Sequence, residues 1–170
     1  MSSSQPSGLV LAVHPTSRGF GWVLFEGPIA AHLWGIAGPK ESEYGPWCMR
    51  RFEKLLTQYS PTAIVLEHRK PNDKAENDRA WIFYQNMRGF AANRDIAVHI
   101  YSRAEVGAAL VSDKNATRRT IVEAVADLLP MLRDRLPLKR KRWDTEDGRR
   151  CLFDAAALGI AHYRITRGDS

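Results

Sequence analysis

The chain has few cysteines and no long apolar run. Its 170 residues include two cysteines, Cys48 and Cys151, whose spacing fits neither a metal motif nor a disulfide framework. Free thiols of this kind are typical of a reducing compartment. No apolar stretch approaches the roughly 20 residues that a membrane-spanning helix needs, so we expect no membrane partner. Residues 1–8 lack the charged start and apolar centre of a signal peptide, and we expect a disordered leader there.

Acidic residues are outnumbered by basic ones. The sequence has 25 Lys and Arg against 19 Asp and Glu, which gives a net charge of +6. The basic residues cluster at 118–119, 139–142 and 149–150. A basic balance of this kind favours nucleic acid as a partner, although the run at 139–142 is equally consistent with a solvated linker. The length predicts one domain, which we place at 9–165, followed by a tail at 166–170.

The apolar pattern predicts three strands followed by alternating helices and strands. The predicted strands are 9–13, 20–25, 29–36, 62–66 and 96–101. The predicted helices are 44–59 or 47–59, 80–93, a short helix after the Ser102-x-x-Glu105 capping box, 120–132, and a last helix from 144 or 145 to 162. This order predicts an α/β fold: a mixed five-stranded sheet, with an antiparallel three-strand meander and two parallel strands, flanked by helices.

Three polar side chains stand where this arrangement would bring them together. His14 ends the first strand, Glu67 ends the fourth, and Asp154 lies in the otherwise apolar last helix. A buried aspartate needs a cation or hydrogen-bond donors as a partner. Asp147 is seven residues earlier and would share the same helical face. The residues His14, Glu67 and Asp154 are therefore candidate ligands for Mg²⁺ or Mn²⁺, assisted by Asp147.

Each of these residues also has a purely structural interpretation. His14 would hydrogen-bond to the backbone of its turn, and Glu67 would pair with Arg69 or Lys70. Asp154 would then form a bridge to Arg150, one turn earlier in the same helix. The order of the three residues along the chain favours a shared site.

Several segments together resemble the RuvC-type Holliday-junction resolvases of the RNase H-like superfamily. They are LVLAVHPTSRGFGWVLF at 9–25, TAIVLE at 62–67, YSRAEV at 101–106, SDKNAT at 112–117 and FDAAALGIAH at 153–162. The resemblance extends over most of the chain. It implies an RNase H-like fold and a metal-dependent endonuclease that cleaves branched or junction-type DNA by two-metal-type phosphodiester hydrolysis. It also implies a location in the cytoplasm, associated with the nucleoid.

The resemblance also implies roles for individual residues. Glu67 and Asp154 match catalytic metal ligands, and Lys114 matches a basic residue near the scissile phosphate. Further DNA contacts are expected from basic residues that follow the strands and precede the last two helices. These are Arg18, Arg69, Lys70, Lys114, Arg118, Arg119, Arg140 and Arg142.

The helix predicted at 80–93 carries two further expectations. By analogy with the resolvases, it would mediate a homodimer. Its aromatic residues Trp81 and Tyr84 have the spacing of core residues, whereas Phe83 is either a core residue or a wedge that enters a DNA junction.

The sequence departs from the family pattern in its most important positions. The aspartate of the family's first strand is His14 here, its turn glycine is Thr16, and Cys151 stands where family members have an acid or histidine. A neutral imidazole suits a hard Mg²⁺ ion less well than a carboxylate. Two functions therefore remain open: a metal-dependent nuclease, or a RuvC-like protein that binds structured nucleic acid or a protein partner without cleaving. An actin-like nucleotide enzyme is disfavoured because the turn at 14–19 has little glycine.

Overall fold

The computed structural model describes residues 8–40, 43–70, 78–136 and 149–167. The strands are β1 (Val10–Thr16), β2 (Gly19–Gly27), β3 (Ala30–Ala37), β4 (Ala63–Glu67) and β5 (Ala97–Tyr101). The helices are α1 (Tyr44–Tyr59), α2 (Arg79–Ala92), α3 (Arg103–Val111), α4 (Arg118–Leu128) and α5 (Arg150–Thr166), with a 3₁₀ helix at Pro130–Arg135. The predicted succession of strands and helices is confirmed. No helix within these ranges is long and apolar enough to cross a membrane.

The five strands form one mixed sheet in the order β3-β2-β1-β4-β5. β1 is antiparallel to β2, and β2 is antiparallel to β3. β4 lies parallel to β1 on one side and to β5 on the other. The meander with two added parallel strands is therefore as predicted, and it places β1 at the centre of the sheet.

Helices cover both faces of the sheet, which explains the continuous apolar run of β1. Leu11 and Val13 pack with α1 and α2 on one face. Val10 and Ala12 pack with α3, α4 and α5 on the other. A central strand that is buried on both sides shows no alternation of polar and apolar residues.

Small residues let α5 lie close against the sheet. Gly21 of β2 faces the backbone of Cys151, and a Cβ at position 21 would overlap the Cys151 carbonyl group. Further along α5, a Cβ on Gly159 would overlap the Phe25 ring. The alanines Ala155, Ala156 and Ala157 are buried in the same interface. The approach of α5 therefore depends on the absence of side chains at these points.

Two predicted boundaries differ from the structure for local reasons. α4 ends at Leu128, before Pro130, rather than at residue 132. Proline lacks the N–H that the next helical turn would need, so the chain continues as a 3₁₀ helix. The described part of α5 begins at Arg150, and the earlier start predicted at 144 or 145, including Asp147, lies outside the described residues.

α2 contributes its aromatic side chains to the core. Phe83 is fully buried and stacks against Phe20 at a ring-centroid distance of 5.3 Å. Tyr84 is also buried, as predicted. The interpretation of Phe83 as a junction wedge was wrong, because helical spacing turns this position toward the sheet.

A histidine cluster is buried between α5 and β5. His162 Nδ1 lies 2.8 Å from the Tyr101 hydroxyl, and the His162 ring stacks on His99 with centroids 4.5 Å apart. Burial, with a smaller contribution from His99, lowers the pKa of His162 from 6.5 to about 4. The folded protein therefore holds this imidazole neutral at a pH where the unfolded chain protonates it.

We expect this cluster to make the protein sensitive to acid. The stabilisation is complete above pH 6.5 and is lost as the pH falls toward 4, because only the unfolded state takes up the proton in that range. The loss should be about 2–3 kcal/mol in the free energy of unfolding, measured by urea titration at several pH values. His162→Gln should flatten this pH dependence, whereas the exposed His68→Gln should leave it unchanged. An identical pH dependence in the wild type and His162→Gln would contradict this origin.

Candidate functional site

Parallel pairing of β1 and β4 brings His14 and Glu67 together. The last paired residues of these strands are Val13 and Leu66, so the next residue of each strand lies side by side at the carboxyl end of the pair. His14 Nδ1 is 3.8 Å from Glu67 Oε2. The carboxyl ends of parallel strands are the usual place for a site in an α/β sheet.

His14 lies within its strand rather than in the turn after it. β1 continues to Thr16, and His14 is paired with Gly21 of β2. The prediction that the strand ends before His14 was therefore wrong. The hairpin turn consists only of Ser17 and Arg18, since antiparallel pairing persists beyond the point where β4 ends.

α5 supplies the second carboxylate of the site. Its close approach over Gly21 places Asp154 Oδ2 3.5 Å from His14 Nε2. The side chains of His14 and Asp154 are 11% and 15% exposed, so both are largely removed from water. The imidazole thus lies between the two carboxylates and turns one nitrogen toward each. Both separations exceed the length of an ordinary N–H···O hydrogen bond.

The partner of Asp154 is an arginine from another helix. Arg118 Nη2 donates to Asp154 Oδ2 at 2.7 Å, the length of a charge-assisted hydrogen bond. Arg118 is the first residue of α4, and the Thr117 side chain caps that helix by accepting from Thr120 N. The cap fixes where α4 begins and hence where Arg118 projects. The structural interpretation of Asp154 named Arg150 as a partner, and the partner that the structure describes is Arg118 of another helix.

The arrangement does not place the candidate ligands His14, Glu67 and Asp154 around one metal ion. A single ion would have to contact both carboxylates, but the His14 ring stands between them and faces each with a different nitrogen. Among the described residues, no group of three or more His, Cys, Asp or Glu side chains has the geometry to hold a metal ion. Arg118 already neutralises Asp154. Asp147, the predicted supplementary carboxylate, lies outside the described ranges.

Two cavities meet at this cluster. A small one of about 30 Å³ is lined by His14, Glu67 and Asp154 together with Arg103 and Arg118. A larger, open cleft of about 470 Å³ lies beside it, between the β1–β2 turn, the end of β3 and the start of α5. Its charged lining residues are Arg18, Arg118, Arg150 and Asp154. Arg118 and Asp154 line both cavities, so the carboxylate cluster borders a predominantly basic cleft.

A buried tyrosine holds the turn that carries Arg18. The Tyr44 hydroxyl donates to the Thr16 carbonyl at 2.6 Å. Burial, above all, raises the pKa of Tyr44 well above its ordinary value, so its hydroxyl remains a donor. Thr16 Oγ1 in turn accepts from Arg18 N at 3.2 Å. These bonds fix the backbone of the turn at the rim of the cleft.

The other predicted basic residues are distributed around the site. Arg69 Nη2 lies 3.7 Å from Asp78, and Arg119 pairs with Glu123 at 3.2 Å on the exposed side of α4. Lys70 is exposed after β4, and Lys114 is exposed in the loop between α3 and α4. The structure therefore brings Arg118 to Asp154, not Lys114. Arg140 and Arg142 lie outside the described residues.

Sequence reasoning did not assign two arginines that line the two cavities. Arg103 is the first residue of α3, immediately after the Ser102 capping box and two residues after β5. The rule that sites form at the carboxyl ends of parallel strands would have indicated it. Arg150 was noted within a basic cluster and as a partner of Asp154, but not as a DNA-contact residue, although it opens α5 beside the β1–β2 turn.

The fold and the site together define a class of protein. A β3-β2-β1-β4-β5 sheet with one meander and two parallel strands, covered by helices on both faces, is the RNase H-like α/β fold. Its polar cluster lies at the carboxyl ends of the central strands β1 and β4 and against the last helix.

Comparison with solved structures narrows this class. Thermus thermophilus RuvC is similar to 95% of this chain over 97% of its own length, with a TM-score of 0.66 and 17% identity. The same bacterium's RuvC in complex with a Holliday junction substrate gives a TM-score of 0.68 over the same shares of the two chains, also at 17% identity. The yeast mitochondrial Holliday junction resolvase is similar to 96% of this chain over 82% of its own, with a TM-score of 0.58 and 13% identity.

The chain has the fold of the RuvC-type Holliday junction resolvases. This confirms the fold that the sequence resemblance implied. No protein-family model and no curated protein sequence matches the chain.

Proposed function

We propose that this protein binds branched DNA through the basic cleft beside its carboxylate cluster, without two-metal hydrolysis of the phosphodiester backbone. The observation that carries the proposal is the contact between Arg118 of α4 and Asp154 of α5. It lies beside His14, which stands where the family that the sequence resembles has an aspartate. The expected partner is DNA of the junction type, inside the cell.

The charge and shape of the cleft support DNA binding. Arg18, Arg118 and Arg150 line one open cleft, and Arg103 lines the cavity that adjoins it. Phosphate oxygens accept hydrogen bonds from guanidinium groups, often in bidentate pairs. The start of α5, a helix of 17 residues, also faces this cleft and adds the positive end of its dipole. A backbone of DNA fits these features better than a small neutral ligand does.

The same charges argue against two-metal chemistry. Two-metal nucleases hold their ions with clusters of negatively charged oxygens. Here Glu67 and Asp154 are opposed by Arg118, with Arg103 on the wall of the same small cavity, so the described site carries no excess of negative charge. A site with these charges would bind a phosphate through its arginines. It would not supply a metal-bound water to attack that phosphate.

Metal-dependent cleavage is the second candidate function, and one observation favours it. His14, Glu67 and Asp154, the three residues proposed as Mg²⁺ or Mn²⁺ ligands, do lie together at one end of the sheet. His14 supplies a nitrogen ligand, which suits Mn²⁺ better than Mg²⁺. In this alternative, the contact between Arg118 and Asp154 would have to open.

A homodimer would present two such clefts to a symmetric junction. α2 is the proposed contact, by analogy with the resolvases. In support, its solvent side exposes Ile82, and a shallow groove lined by Gln85, Arg88 and Gly89 separates it from the edge strand β5.

Gel-shift and cleavage assays on one set of DNA substrates separate the two candidate functions. We expect the full chain to bind a four-way junction at least about tenfold more tightly than a duplex of the same sequence at equal salt, because a cleft between turn and helix accepts a bent backbone. We expect no cleavage in Mg²⁺ or Mn²⁺. Glu67→Gln should bind the junction as the wild type does, since Glu67 is not one of the cleft arginines.

Either of two results would overturn this proposal. Equal affinity for junction and duplex would remove the substrate class. Mg²⁺- or Mn²⁺-dependent cleavage that is lost in both Glu67→Gln and Asp154→Asn would establish the nuclease instead.

A further inference from the structure

Four side chains from four different elements form a row in which carboxylates alternate with nitrogen-bearing groups. Glu67 of β4 faces His14 of β1, His14 faces Asp154 of α5, and Asp154 accepts from Arg118 of α4. The three contacts measure 3.8, 3.5 and 2.7 Å. Each carboxylate is therefore next to a nitrogen group, and the two carboxylates are kept apart by the imidazole.

Arg118 places a positive charge against Asp154 without a metal ion. Asp154 has a guanidinium as its nearest partner at 2.7 Å, and Glu67 faces the imidazole of His14 at 3.8 Å rather than the second carboxylate. Two carboxylates brought together without such partners would repel each other and would raise the cost of burying Asp154. A bound metal ion often reduces this repulsion, and here the guanidinium of Arg118 has that effect on Asp154.

The helix cap at the start of α4 positions Arg118 for this contact. The Thr117 side chain accepts from Thr120 N at 3.2 Å, which fixes where the helix begins, and Arg118 is its first residue. The side chains of Arg118 and Asp154 are 32% and 15% exposed, so their contact is partly removed from water.

We infer that Arg118 provides the positive charge that a divalent metal ion would otherwise provide at Asp154. Its guanidinium keeps metal ions away from Asp154 and links α4 to α5. The inference deepens the proposed binding function, because it explains how a resolvase-type carboxylate site is kept stable without cleavage. It predicts that divalent cations do not change the stability of the wild-type protein. It also predicts that a cation site forms when the charge of Arg118 is removed and His14 is replaced by a residue with an oxygen ligand.

The test uses the full chain without DNA and Mn²⁺ as the probe. Thermal unfolding in EDTA and in Mn²⁺, together with titration calorimetry, would compare the wild type with Arg118→Gln, His14→Asp and the double variant His14→Asp/Arg118→Gln. We expect the wild type to show the same Tm in both conditions and no saturable Mn²⁺ binding. Arg118→Gln alone should unfold at a lower temperature in EDTA, since Asp154 loses its partner.

The double variant should bind Mn²⁺ at least about tenfold more tightly than the wild type, and Mn²⁺ should raise its Tm, because a ligand that binds only the folded state stabilises it. Arg119→Gln is the matched control, since this neighbouring arginine pairs with Glu123 on the exposed side of α4. It should behave as the wild type does in every measurement.

Two outcomes would overturn the inference. One is a wild-type protein that binds Mn²⁺ stoichiometrically and gains stability from it. The other is a double variant that is folded by circular dichroism in EDTA and still shows no response to Mn²⁺. Because no DNA is present, failure of junction binding would overturn the proposed function alone and would leave this result standing.

Discussion

Gly21→Ala should destabilise the protein by about 3 kcal/mol and disperse the residues of the site. Gly21 lies in the middle of β2, opposite His14, and an added Cβ would overlap the backbone carbonyl of Cys151 and the backbone nitrogen of Leu152. Backbone atoms cannot rotate out of the way as a long side chain can. The helix α5 must therefore move off the sheet, and Asp154 moves away from His14 with it.

Such a change is large for a domain of this size, whose total stability is expected to be about 5–15 kcal/mol. The midpoint of urea unfolding, followed by circular dichroism, would measure it. Gly89→Ala is the matched control, because nothing lies within 4 Å of an added Cβ on the exposed side of α2. That substitution should stabilise the protein by about 1 kcal/mol through helix propensity. Equal stability of Gly21→Ala and the wild type would mean that α5 does not pack as closely as described.

Removing two arginines from the cleft should weaken junction binding by about 10–100-fold. The double variant Arg18→Gln/Arg150→Gln leaves Arg118 and its contact with Asp154 intact. The fold and the row of Glu67, His14, Asp154 and Arg118 should therefore remain as they are. Each phosphate contact that is lost removes about 0.9 from the slope of log Kobs against log salt concentration. We therefore expect the magnitude of that slope to fall by about 2 when gel-shift affinities are measured over a range of salt.

A control of equal charge lies on the opposite face of the sheet. Arg50 and Lys54 are exposed on α1, which packs on the face that α5 does not cover. Arg50→Gln/Lys54→Gln changes the net charge by the same amount and should leave the affinity within about twofold of the wild type, because these residues are far from the cleft. An equal loss of affinity in both double variants would show that net charge, rather than the cleft, determines DNA binding.

Most strands and helices could be predicted from the sequence, because the strands are apolar runs and several helices are amphipathic. The β1 run, the Ser102 capping box and the spacing of α1 correspond directly to elements of the structure. The length of β1 was underestimated because the apolar run ends at Val13 and Pro15 is a residue that strands usually lack. The conformation of His14, Pro15 and Thr16 is maintained by pairing with β2, and pairing between strands is a tertiary contact that local propensity does not contain.

The partner of Asp154 illustrates the same limit within the site. Arg150 is one helical turn away in sequence, so it was the natural candidate. The contact instead comes from Arg118, 36 residues distant, because α4 and α5 pack side by side on one face of the sheet. No spacing rule relates residues on two helices that cross at an angle set by the side chains between them.

By itself, the sequence determined which polar residues must be accommodated: a histidine and a glutamate at the ends of two apolar strand segments, and an aspartate in an apolar helix. Those identities and their order follow from the covalent chain and from hydrophobic periodicity. Only the tertiary structure decided what these residues do together. The approach of α5 over Gly21 places His14 between two carboxylates, and the packing of α4 sets Arg118 against Asp154. The balance of charge at a site depends on distances between elements, and packing alone determines those distances.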